Sequence, residues 1–478
     1  MTKIKFGTSG WRAVISDEFT FENVRLVTQA ISDYIKKVYS LQSIVYRKRR
    51  KTKTVVVGYD TRFLSKEFAQ EAAKVLSSNG IKVLLSDRDV PTPVISYHII
   101  KKKCAGGINF TASHNPPQYN GIKFSPETGG PAQPEVTKAI ERNIEKLQKK
   151  KSMPGYTAKE SLITVFNPRP AYLRQIERLI DFKAIKKAKL KVAVDCLYGT
   201  SRGYLDLILR KYGYKPIVLH DYLNPYFDGK RPEPAPENIL ELISLVKKKR
   251  LDLGLSADGD ADRFGIIDSD GTYITPNQVV TLLFYHLLST RKKSKHVVAR
   301  TVATTHMIDA IAKAYNIEVI ETPVGFKYFV DIINKGDCVI AGEESGGLSM
   351  SGHLPEKDGI LACLLITEMV AKRKKPIREI LKHLYDIYGR FYTHRIDFNL
   401  TQSAKERLMK KVRSPKFSSF SGIKIYRRDF KDGCKFYTKD GSWVLFRPSG
   451  TEPIVRVYFE SNSKKILARL IEAGEKLI

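Results

Sequence analysis

Residues 53–87 read KTVVVGYDTRFLSKEFAQEAAKVLSSNGIKVLLSD, and this stretch decides the fold. The segments TVVVGYD and IKVLLSD at its two ends are short and rich in valine, isoleucine and leucine, as buried strands are. The segment between them, SKEFAQEAAKVLSSNG, is typical of an amphipathic helix. The stretch therefore predicts a strand–helix–strand unit of the kind found in parallel or mixed sheets.

Two later stretches repeat this order. Residues 189–221 and 295–323 each contain a short strand, a polar loop, an amphipathic helix and a second strand. Such units are common, so chance similarity is the alternative explanation, but the equal order and length of the parts weigh against it. We expect three similar α/β domains with mixed sheets.

The pattern changes after about Tyr388. Five strand-like segments there surround a short helical run and precede a final helix, predicted for residues 464–476. This part is expected to be an α+β domain. Between the first two repeats, residues 148–161 are charged and contain a Pro-Gly pair, which favours a linker. The predicted domains are residues 1–155, 162–272, 273–388 and 389–478.

Composition excludes several classes of protein. Of the 478 residues, 42% are hydrophobic, which is enough for a large core and excludes global disorder. The longest apolar stretches, residues 279–288 and 360–369, are too short to span a bilayer, and the first residues lack the apolar core of a secretory signal. The five cysteines are widely spaced without a CxxC pair, so we expect free thiols in a cytoplasmic protein.

The chain is strongly basic, with 82 Lys and Arg against 50 Asp and Glu, a formal charge of +32. Clustered cations can bind nucleic acid by displacing counterions from phosphates. No nucleic-acid-binding motif accompanies the clusters, however, and they lie mostly where helices end or loops begin. We therefore interpret them as solvated surface that also favours anionic small-molecule substrates, and we expect neither nucleic acid nor a membrane as a partner.

The first loop that could carry chemistry is TASHNPP, residues 111–117, after the strand-like AGGINF. Its asparagine and prolines exclude a helix and hold an irregular turn that can present the Ser113 hydroxyl. His114 is adjacent in sequence, so its side chain is expected to diverge from that of Ser113. This divergence, with the lack of a GxSxG motif, disfavours a hydrolase triad.

The second loop is DGDADR, in which Asp258, Asp260 and Asp262 follow the strand LDLGLSA. The glycine and alanine between the carboxylates let the backbone curl so that all three converge. Without a cation, they would repel and raise one another's pKa. Arg263 and Ser269 replace residues that an EF-hand requires, and a few hard oxygen ligands suit Mg²⁺ with a phosphoryl oxygen. A solvated acidic turn is the alternative.

The third loop is GEESGG, residues 342–347, after the apolar strand DCVIA. Its two carboxylates and one hydroxyl at the end of a strand are suited to binding adjacent sugar hydroxyls, although an acidic turn would look the same. His353 and Lys357 follow and can handle a proton.

The fourth loop is RPSGT, residues 447–451, after the strand SWVLF. Its proline and glycine force a turn that exposes main-chain N–H groups, and its arginine offers a planar fork suited to phosphate. Arg456 lies close by in sequence. Residues 6–12, FGTSGWR, have the same ingredients. The P-loop motif of nucleoside triphosphatases is missing, which argues against that class.

The five motifs FGTSGWR, TASHNPPQYNGIK, DGDADR, GEESGG and RPSGTEP, taken in this order, closely resemble the α-D-phosphohexomutases, the family of phosphoglucomutase and phosphomannomutase. The resemblance spans nearly the whole chain. It implies four domains around a central active-site cleft, and transfer of a phosphoryl group between an enzyme serine and a sugar phosphate. The sugar 1,6-bisphosphate, here glucose 1,6-bisphosphate, is then both intermediate and activator.

The resemblance also implies a role for individual residues. Ser113 is similar to the serine that carries the phosphoryl group, and its phosphoryl oxygen would bind Mg²⁺ together with the three aspartates. The residues implied for catalysis are Ser113, His114, Lys123, Arg12, Arg263, His353 and Lys357. Those implied for substrate binding are Gly325, Lys327, Glu343, Ser345, Arg447, Ser449, Gly450, Thr451 and Arg456. Those implied for the metal are Ser113, Asp258, Asp260 and Asp262.

The sugar is less sharply defined than the reaction. GEESGG resembles the loop of glucose-type mutases, since glucosamine-type mutases usually have Gln in place of Glu344 and His in place of Gly347. We expect conversion of α-D-glucose 1-phosphate to glucose 6-phosphate. Activity on mannose phosphates, or less readily on glucosamine or pentose phosphates, stays open, because one hydroxyl gives only modest discrimination. A basic nucleic-acid-binding protein with an inactive mutase fold is the alternative from another class. Whether the protein is a monomer or a dimer is open as well.

Overall fold

The computed structural model describes residues 4–7, 10–46, 53–150, 155–291, 296–420, 422–449 and 454–477. Four structural units follow one another along these residues, each built on its own sheet. Three of the sheets are mixed and the last is antiparallel, so the predicted fold class, three similar α/β domains followed by an α+β domain, is confirmed.

Domain I is built on a six-stranded sheet in the order β1-β5-β4-β2-β3-β6. Its elements are β1 (Trp11–Val14), α1 (Phe21–Tyr46), β2 (Thr54–Tyr59), α2 (Ser65–Ser78), β3 (Lys82–Ser86), α3 (Thr92–Lys101), β4 (Gly106–Phe110), β5 (Tyr119–Pro126), α4 (Pro134–Lys149) and β6 (Ile163–Phe166). Helix α1 packs against α2 and α4. Strand β4 is buried along its whole length, as its apolar sequence predicts.

Domain II has a five-stranded sheet in the order β11-β10-β9-β7-β8. Its elements are α5 (Arg169–Leu179), α6 (Phe182–Ala188), β7 (Val192–Asp195), α7 (Leu205–Lys211), β8 (Ile217–Leu219), α8 (Leu240–Lys249), β9 (Leu253–Ala257), β10 (Phe264–Asp268) and β11 (Tyr273–Ile274). The central strands β7, β9 and β10 are fully buried.

Domain III has a four-stranded sheet in the order β13-β12-β14-β15. Its elements are α9 (Pro276–Thr290), β12 (Val297–Thr301), α10 (Met307–Tyr315), β13 (Glu318–Thr322), α11 (Val330–Asn334), β14 (Cys338–Gly342), β15 (Leu348–Ser349), α12 (Gly359–Arg373) and α13 (Ile377–Tyr388). A capping box formed by Thr275 and Gln278 starts α9.

Domain IV is a six-stranded sheet in the order β16-β21-β20-β19-β18-β17, with two helices. Its elements are β16 (Tyr392–Asn399), α14 (Gln402–Arg413), β17 (Ser419–Phe420), β18 (Ile423–Asp429), β19 (Cys434–Thr438), β20 (Trp443–Pro448), β21 (Ile454–Ser461) and α15 (Lys464–Glu475). Neighbouring strands are antiparallel throughout, and β16 and β18 alternate between more and less exposed residues, as strands with one solvated face do.

The three predicted repeats share one topology. The first strand of each repeat pairs in parallel with its second strand and with a third strand: β2 with β3 and β4, β7 with β8 and β9, β12 with β13 and β14. The third strand then turns back into an antiparallel neighbour, β5, β10 or β15. The loops of Ser113, of the three aspartates and of GEESGG are these three connections, so they occupy equivalent positions in three domains.

The structure differs from the predicted boundary between domains I and II. Strand β6 lies in residues predicted to open domain II, but it pairs in parallel with β3 at the edge of the first sheet. Part of the predicted linker is also the end of α4. The segment ITVF of β6 is too short for its pairing partner to be read from its sequence, because pairing across a sheet depends on the path of the chain between the strands.

The apolar core joins the first three domains more tightly than the fourth. One continuous cluster of buried side chains runs from α3 through domain II into α12 and α13. Domain IV has an apolar cluster of its own. A small cluster that includes Val302, Ala303, Trp443 and Leu445 joins it to domain III. Domains I to III therefore form one packed body, to which domain IV is attached separately.

The two longest apolar stretches of the sequence lie in α9 and α12, both of which are largely buried. Among the residues that the structure describes, no helix combines the length and the apolar character needed to cross a bilayer. The five cysteines all lie in the described residues, are buried and form no disulfide bond.

Candidate active site

Ser113 lies where domains I and II meet. Its side chain is buried, and its hydroxyl donates a hydrogen bond of 2.7 Å to Asp258 Oδ2. The backbone of Ser113 has a φ of 53°, in the left-handed region that residues with a side chain seldom adopt. The Thr111 hydroxyl accepts a bond of 2.9 Å from the Ser113 N–H group and supports this turn. The loop thus aims the hydroxyl of Ser113 across the domain boundary at a carboxylate.

Arg62, which the sequence analysis missed, holds the serine loop in this shape. Its guanidinium group is buried beneath the loop. Its terminal nitrogens donate to four main-chain carbonyls, those of Ser113, Asn115, Pro116 and Tyr119, at 2.7, 2.6, 2.8 and 3.0 Å. Only arginine has enough donors in a fixed plane to bind four carbonyls at once.

Two neighbours fix Arg62 itself. Asp60, also buried, lies 3.3 Å from Arg62 Nε and accepts the Arg62 backbone N–H at 2.9 Å. The ring of Phe227 from domain II lies 5.1 Å from the guanidinium carbon. The sequence signal for Arg62 was the polar segment DTR directly after β2, and it gives no indication of the distant carbonyls that Arg62 binds.

The three aspartates of DGDADR converge, as their spacing predicted. Carboxylate oxygens of Asp258, Asp260 and Asp262 lie within 4.8 Å of one another, and all three side chains are buried. Asp260 Oδ1 and Asp262 Oδ1 find no hydrogen-bond partner among the described residues. Buried carboxylate oxygens without partners are costly unless a cation binds them. The donor set therefore fits a hard divalent cation, with the Ser113 oxygen beside it.

Two lysines contact the other oxygens of this cluster. Lys123 Nζ lies 2.5 Å from Asp260 Oδ2 and 3.1 Å from Asp262 Oδ2. Lys357 Nζ lies 2.8 Å from Asp262 Oδ2. Burial opposes the charge on both lysines, but the aspartates prevail and raise the pKa of each lysine. Both lysines are thus held as ammonium groups, which can donate hydrogen bonds to adjacent oxygens.

The aspartates do not share one electrostatic environment. Burial, followed by the charges of Asp260 and Asp262, raises the pKa of Asp258 well above its usual range. Burial also opposes the charge on Asp262, but Lys123 and Lys357 lower the pKa of this carboxyl. Burial and the neighbouring negative charges thus disfavour the ionised form of Asp258, the residue that contacts Ser113. A bound cation would favour that ionised form.

His114 contradicts the divergence expected from its position in the sequence. Its Nδ1 lies 3.2 Å from Ser113 Oγ, because the left-handed backbone at Ser113 turns the two side chains toward each other. Burial, and after it the charges of Arg263 and Arg12, hold the pKa of His114 well below its usual range. The imidazole is therefore neutral and lies beside the Ser113 oxygen.

The two arginines predicted for catalysis border this centre. Arg12 Nη1 donates to Asn115 Oδ1 at 2.7 Å, which places Arg12 on the serine loop. The Arg263 N–H group donates to Asp258 Oδ1 at 3.0 Å, and its guanidinium lies 3.5 Å from Glu233. Positive charge thus lies next to both the serine loop and the aspartates.

The GEESGG loop places Glu343 next to the predicted Gly325 loop. Glu343 is buried, and its Oε1 accepts the Gly325 N–H at 2.9 Å. Gly325 has a φ of 133°, which glycine adopts without strain. Burial raises the pKa of Glu343 to about 7, although Lys357 acts in the opposite direction. Ser345 is half-buried two residues further along the loop.

Two predicted residues lie apart from this cluster. His353 is a correction: its side chain has no exposed surface and its Nε2 lies 2.7 Å from Asp358, so it cannot exchange a proton with a bound sugar. Asp358 also caps α12, so this carboxylate joins His353 to the start of that helix. The second is Lys327, whose ammonium group lies over the Tyr328 ring. The main-chain carbonyl of Lys327 accepts a hydrogen bond of 2.7 Å from Gln133 of domain I.

The fourth loop is bound by the carboxylate of Asp432, a residue that the sequence analysis did not select. Arg447 Nε donates to Asp432 Oδ2 at 2.8 Å, and the same oxygen accepts the Val324 N–H at 2.8 Å. Ser449 is buried and accepts a hydrogen bond from Lys405 through its carbonyl. Arg456 lies 3.4 Å from Asp397. Gly450 and Thr451 lie outside the described residues.

This arrangement has the parts of a metal-assisted phosphoryl-transfer site. A buried hydroxyl contacts one of three clustered carboxylates, two of which have an unpartnered oxygen. Ammonium and guanidinium groups lie next to the cluster and can neutralise a transferred phosphoryl group. The loops that carry these groups come from three domains, and Asp432 connects the fourth to them.

Family models agree with this class of site. Phosphoglucomutase/phosphomannomutase alpha/beta/alpha domains I, II and III match residues 3–151, 170–271 and 275–388, and the C-terminal domain of the same family matches residues 399–476. The chain belongs to the phosphoglucomutase/phosphomannomutase family, whose members are phosphohexomutases acting on small sugar phosphates.

Individual relatives carry several substrate names. A phosphoglucomutase/phosphomannomutase of Thermococcus kodakarensis is 31% identical over 99% of this chain and 98% of its own. A protein of Methanosphaera stadtmanae named "Probable phosphoglucosamine mutase" is 32% identical over 97% of this chain and 95% of its own. The open form of parafusin, a phosphoglucomutase of Paramecium, superposes with a TM-score of 0.84 at 25% identity, covering 100% of this chain and 95% of that one.

Proposed function

We propose that this protein is a phosphoglucomutase, which interconverts α-D-glucose 1-phosphate and glucose 6-phosphate through a phosphorylated Ser113 and a 1,6-bisphosphate intermediate. One observation carries the proposal: the Ser113 hydroxyl lies 2.7 Å from a carboxylate of a buried aspartate trio in which two oxygens, Asp260 Oδ1 and Asp262 Oδ1, find no hydrogen-bond partner among the described residues. Such a setting suits a serine that carries a phosphoryl group next to a cation.

Asp258, Asp260 and Asp262 would hold the cation together with an oxygen on Ser113. Hard oxygen ligands in this number favour Mg²⁺, which shares its coordination with phosphoryl oxygens. When bound, the ion neutralises negative charge on the phosphoryl group during transfer. Arg12 and Arg263 add fixed positive charge on either side.

In the first half-reaction, phosphorylated Ser113 gives its phosphoryl group to the free hydroxyl of the sugar phosphate. The bond between phosphorus and Ser113 Oγ breaks and a bond between phosphorus and the sugar oxygen forms. The sugar hydroxyl loses a proton and Ser113 Oγ gains one. Neutral His114 lies within 3.2 Å of that oxygen, and Lys123 and Lys357 are the other proposed proton carriers.

The bisphosphate must then turn so that its other phosphate returns to Ser113. We assign recognition of the distant phosphate to Arg447, Ser449, Gly450, Thr451 and Arg456, and recognition of the ring hydroxyls to Glu343, Ser345, Gly325 and Lys327. Domain IV has an apolar core of its own, so it can move as one body. We assign to it a movement over the cleft while the intermediate turns.

Glucose is the preferred sugar in this proposal because the loop sequence is GEESGG. Dual activity on mannose phosphates is the second candidate, supported by the name of the Thermococcus kodakarensis relative. Glucosamine phosphate is a third, supported by the name of the Methanosphaera stadtmanae relative, and pentose phosphate has no such support.

The test is a comparison of kcat/KM for the 1-phosphates of glucose, mannose, glucosamine and ribose, with Mg²⁺ and glucose 1,6-bisphosphate present. We expect glucose 1-phosphate to lead by about tenfold, the range that one hydroxyl contact allows. A lead by another sugar reassigns the substrate. Turnover of none of the four, with salt-dependent binding of mixed oligonucleotides, favours the nucleic-acid-binding alternative.

A further inference from the structure

Asp432 lies in the turn between β18 and β19 of domain IV and joins two domains through one atom. Its Oδ2 accepts the main-chain N–H of Val324 in domain III and the Nε–H of Arg447 in domain IV, both at 2.8 Å. The two side chains of this ion pair are largely shielded from solvent, with 22% of Asp432 and 16% of Arg447 exposed. The contact is therefore better defined than a surface ion pair.

Each donor leads to a different part of the proposed substrate site. Val324 precedes Gly325, whose N–H donates to Glu343 Oε1 at 2.9 Å. A short series of contacts thus runs from Asp432 to the buried carboxylate of the GEESGG loop. Arg447 is bound through Nε, so the contact sets the plane of its guanidinium and the direction of both terminal nitrogens.

We propose that Asp432 is a positioning residue that fixes the distance and angle between the phosphate-binding fork of Arg447 and the sugar-binding carboxylate of Glu343. This inference rests on the proposed function. Asp432 keeps the phosphate-binding group of domain IV and the sugar-binding group of domain III at a fixed position relative to each other. A sugar phosphate can satisfy both sites only when that spacing is held.

Other contacts dock domain IV without Asp432. The Lys435 ammonium group donates to the Val302 carbonyl at 2.6 Å, and the His306 N–H group donates to Glu460 at 3.0 Å. Neither these two contacts nor the apolar cluster around Trp443 involves Asp432. Loss of Asp432 should therefore disturb the register of the two recognition groups while domain IV stays docked.

The neighbouring Lys431 offers a matched control. It lies in the same turn and also contacts domain III, where its Nζ is 3.2 Å from the carbonyl and from the carboxylate of Glu321. It has no contact with Arg447 or Val324 among those described. Lys431→Ala removes a contact between the same two domains, and the proposal expects kinetics within about twofold of the wild type.

The test is steady-state kinetics with glucose 1-phosphate, Mg²⁺ and glucose 1,6-bisphosphate. Asp432→Ala is expected to raise KM about tenfold and to change kcat less than about threefold, because binding geometry is lost and the phosphoryl-transfer centre is untouched. Asp432→Asn should recover most of the loss, since both donors meet at one oxygen that an amide can supply. Asp432→Glu, which keeps the charge but moves the carboxylate, should behave like the alanine variant.

A double-mutant cycle tests whether Asp432 acts through Arg447. The double variant Asp432→Ala with Arg447→Ala should have the KM of Arg447→Ala alone, because the positioned group is then missing. Additive effects on KM would overturn the proposal, as would wild-type KM in Asp432→Ala, or equal losses in Asp432→Ala and Lys431→Ala. If Asp432→Ala does not fold, Asp432→Glu carries the same test.

The failure of this inference and that of the proposed function are distinguishable. A wild-type protein that turns over none of the sugar phosphates contradicts the function. A wild-type protein that is active, with Asp432 variants that match it, contradicts only the inference.

Discussion

The loop of Ser113 and the loop of Arg447 serve opposite ends of the proposed substrate, and they are held in different ways. Arg62 binds four carbonyls of the serine loop from below and is itself buried against Asp60. Among the described residues, Arg447 is held by one carboxylate, that of Asp432 at the boundary of domains III and IV. The end that performs chemistry is fixed within a packed body, while the end that recognises phosphate belongs to a separately packed domain.

This difference suits a reaction in which the intermediate must turn. Phosphoryl transfer depends on a serine oxygen held within tenths of an ångström, so its loop is clamped. Phosphate recognition has to release and rebind a different phosphate of the same molecule, which is easier for a domain attached through a small interface. We therefore expect the largest effects of substitution at the serine loop and smaller effects at the loop of Arg447.

The largest effect is expected at Ser113. Ser113→Ala should lower kcat by at least about a thousandfold, because no other group can carry the phosphoryl group. Mass spectrometry should find one phosphoryl group on the wild-type peptide that contains Ser113 and none on the variant. Ser403→Ala, at an exposed position in α14, serves as the control and should match the wild type. Undiminished turnover by Ser113→Ala would remove the serine from the mechanism.

The second effect tests whether rigidity at the serine loop matters. Arg62→Lys keeps the charge but cannot bind four carbonyls in one plane, so we expect kcat to fall about thirtyfold with KM changed less than about threefold. Arg88→Lys is the matched control, because Arg88 also bonds main-chain carbonyls near the boundary with domain II but not those of the serine loop. A rise in KM with unchanged kcat would contradict a role in holding the nucleophile.

The sequence predicted the parts of the site whose signal is local. Asp258, Asp260 and Asp262 lie within five residues and are separated by a glycine and an alanine, so the local sequence indicated that their carboxylates could converge. The three repeats were also predictable, because each is a compact run of strand, helix and strand. Their equivalence explains why three separate loops meet at one site: each follows the same strand of the same topology.

The parts that the sequence did not predict depend on contacts between distant segments. Arg62 binds backbone carbonyls 51 to 57 residues away, and a carbonyl leaves no mark in the sequence. Asp432 meets Val324 across 108 residues for the same reason. His353 was wrongly assigned because a histidine near a site has no signature that separates a proton carrier from a buried partner of Asp358.

The third effect is at the recognition end. Arg447→Ala should raise KM for glucose 1-phosphate about tenfold while kcat changes less than about threefold, because the arginine binds the phosphate that is not being transferred. Arg427→Ala, which removes an exposed arginine stacked on Tyr437 in the same domain, should leave both constants near the wild type. An equal fall in kcat for Arg447→Ala would place domain IV in the chemical step and erase the difference between the two ends.

The smallest effect concerns Glu343, which lies between the two ends. Burial raises the pKa of Glu343 to about 7, with Glu344 adding to the rise and Lys357 and Arg263 opposing it. The ionised carboxylate accepts stronger, charge-assisted hydrogen bonds from sugar hydroxyls than the protonated form does. The added contribution of the charge to binding is present above pH 7 and is lost as the pH falls through that value. At one unit below its pKa, about a tenth of the protein keeps the charged form.

We therefore expect the KM of the wild type for glucose 1-phosphate to rise about threefold more than that of Glu343→Gln when the pH is lowered from 8 to 6. The glutamine variant keeps an acceptor oxygen but does not titrate. The substrate phosphate itself titrates near pH 6, but it does so equally for both proteins, so the ratio of their KM values isolates Glu343. Parallel pH profiles would show that ring recognition does not use the charge of Glu343, and the sugar would then be held by neutral donors and by the register that Asp432 sets.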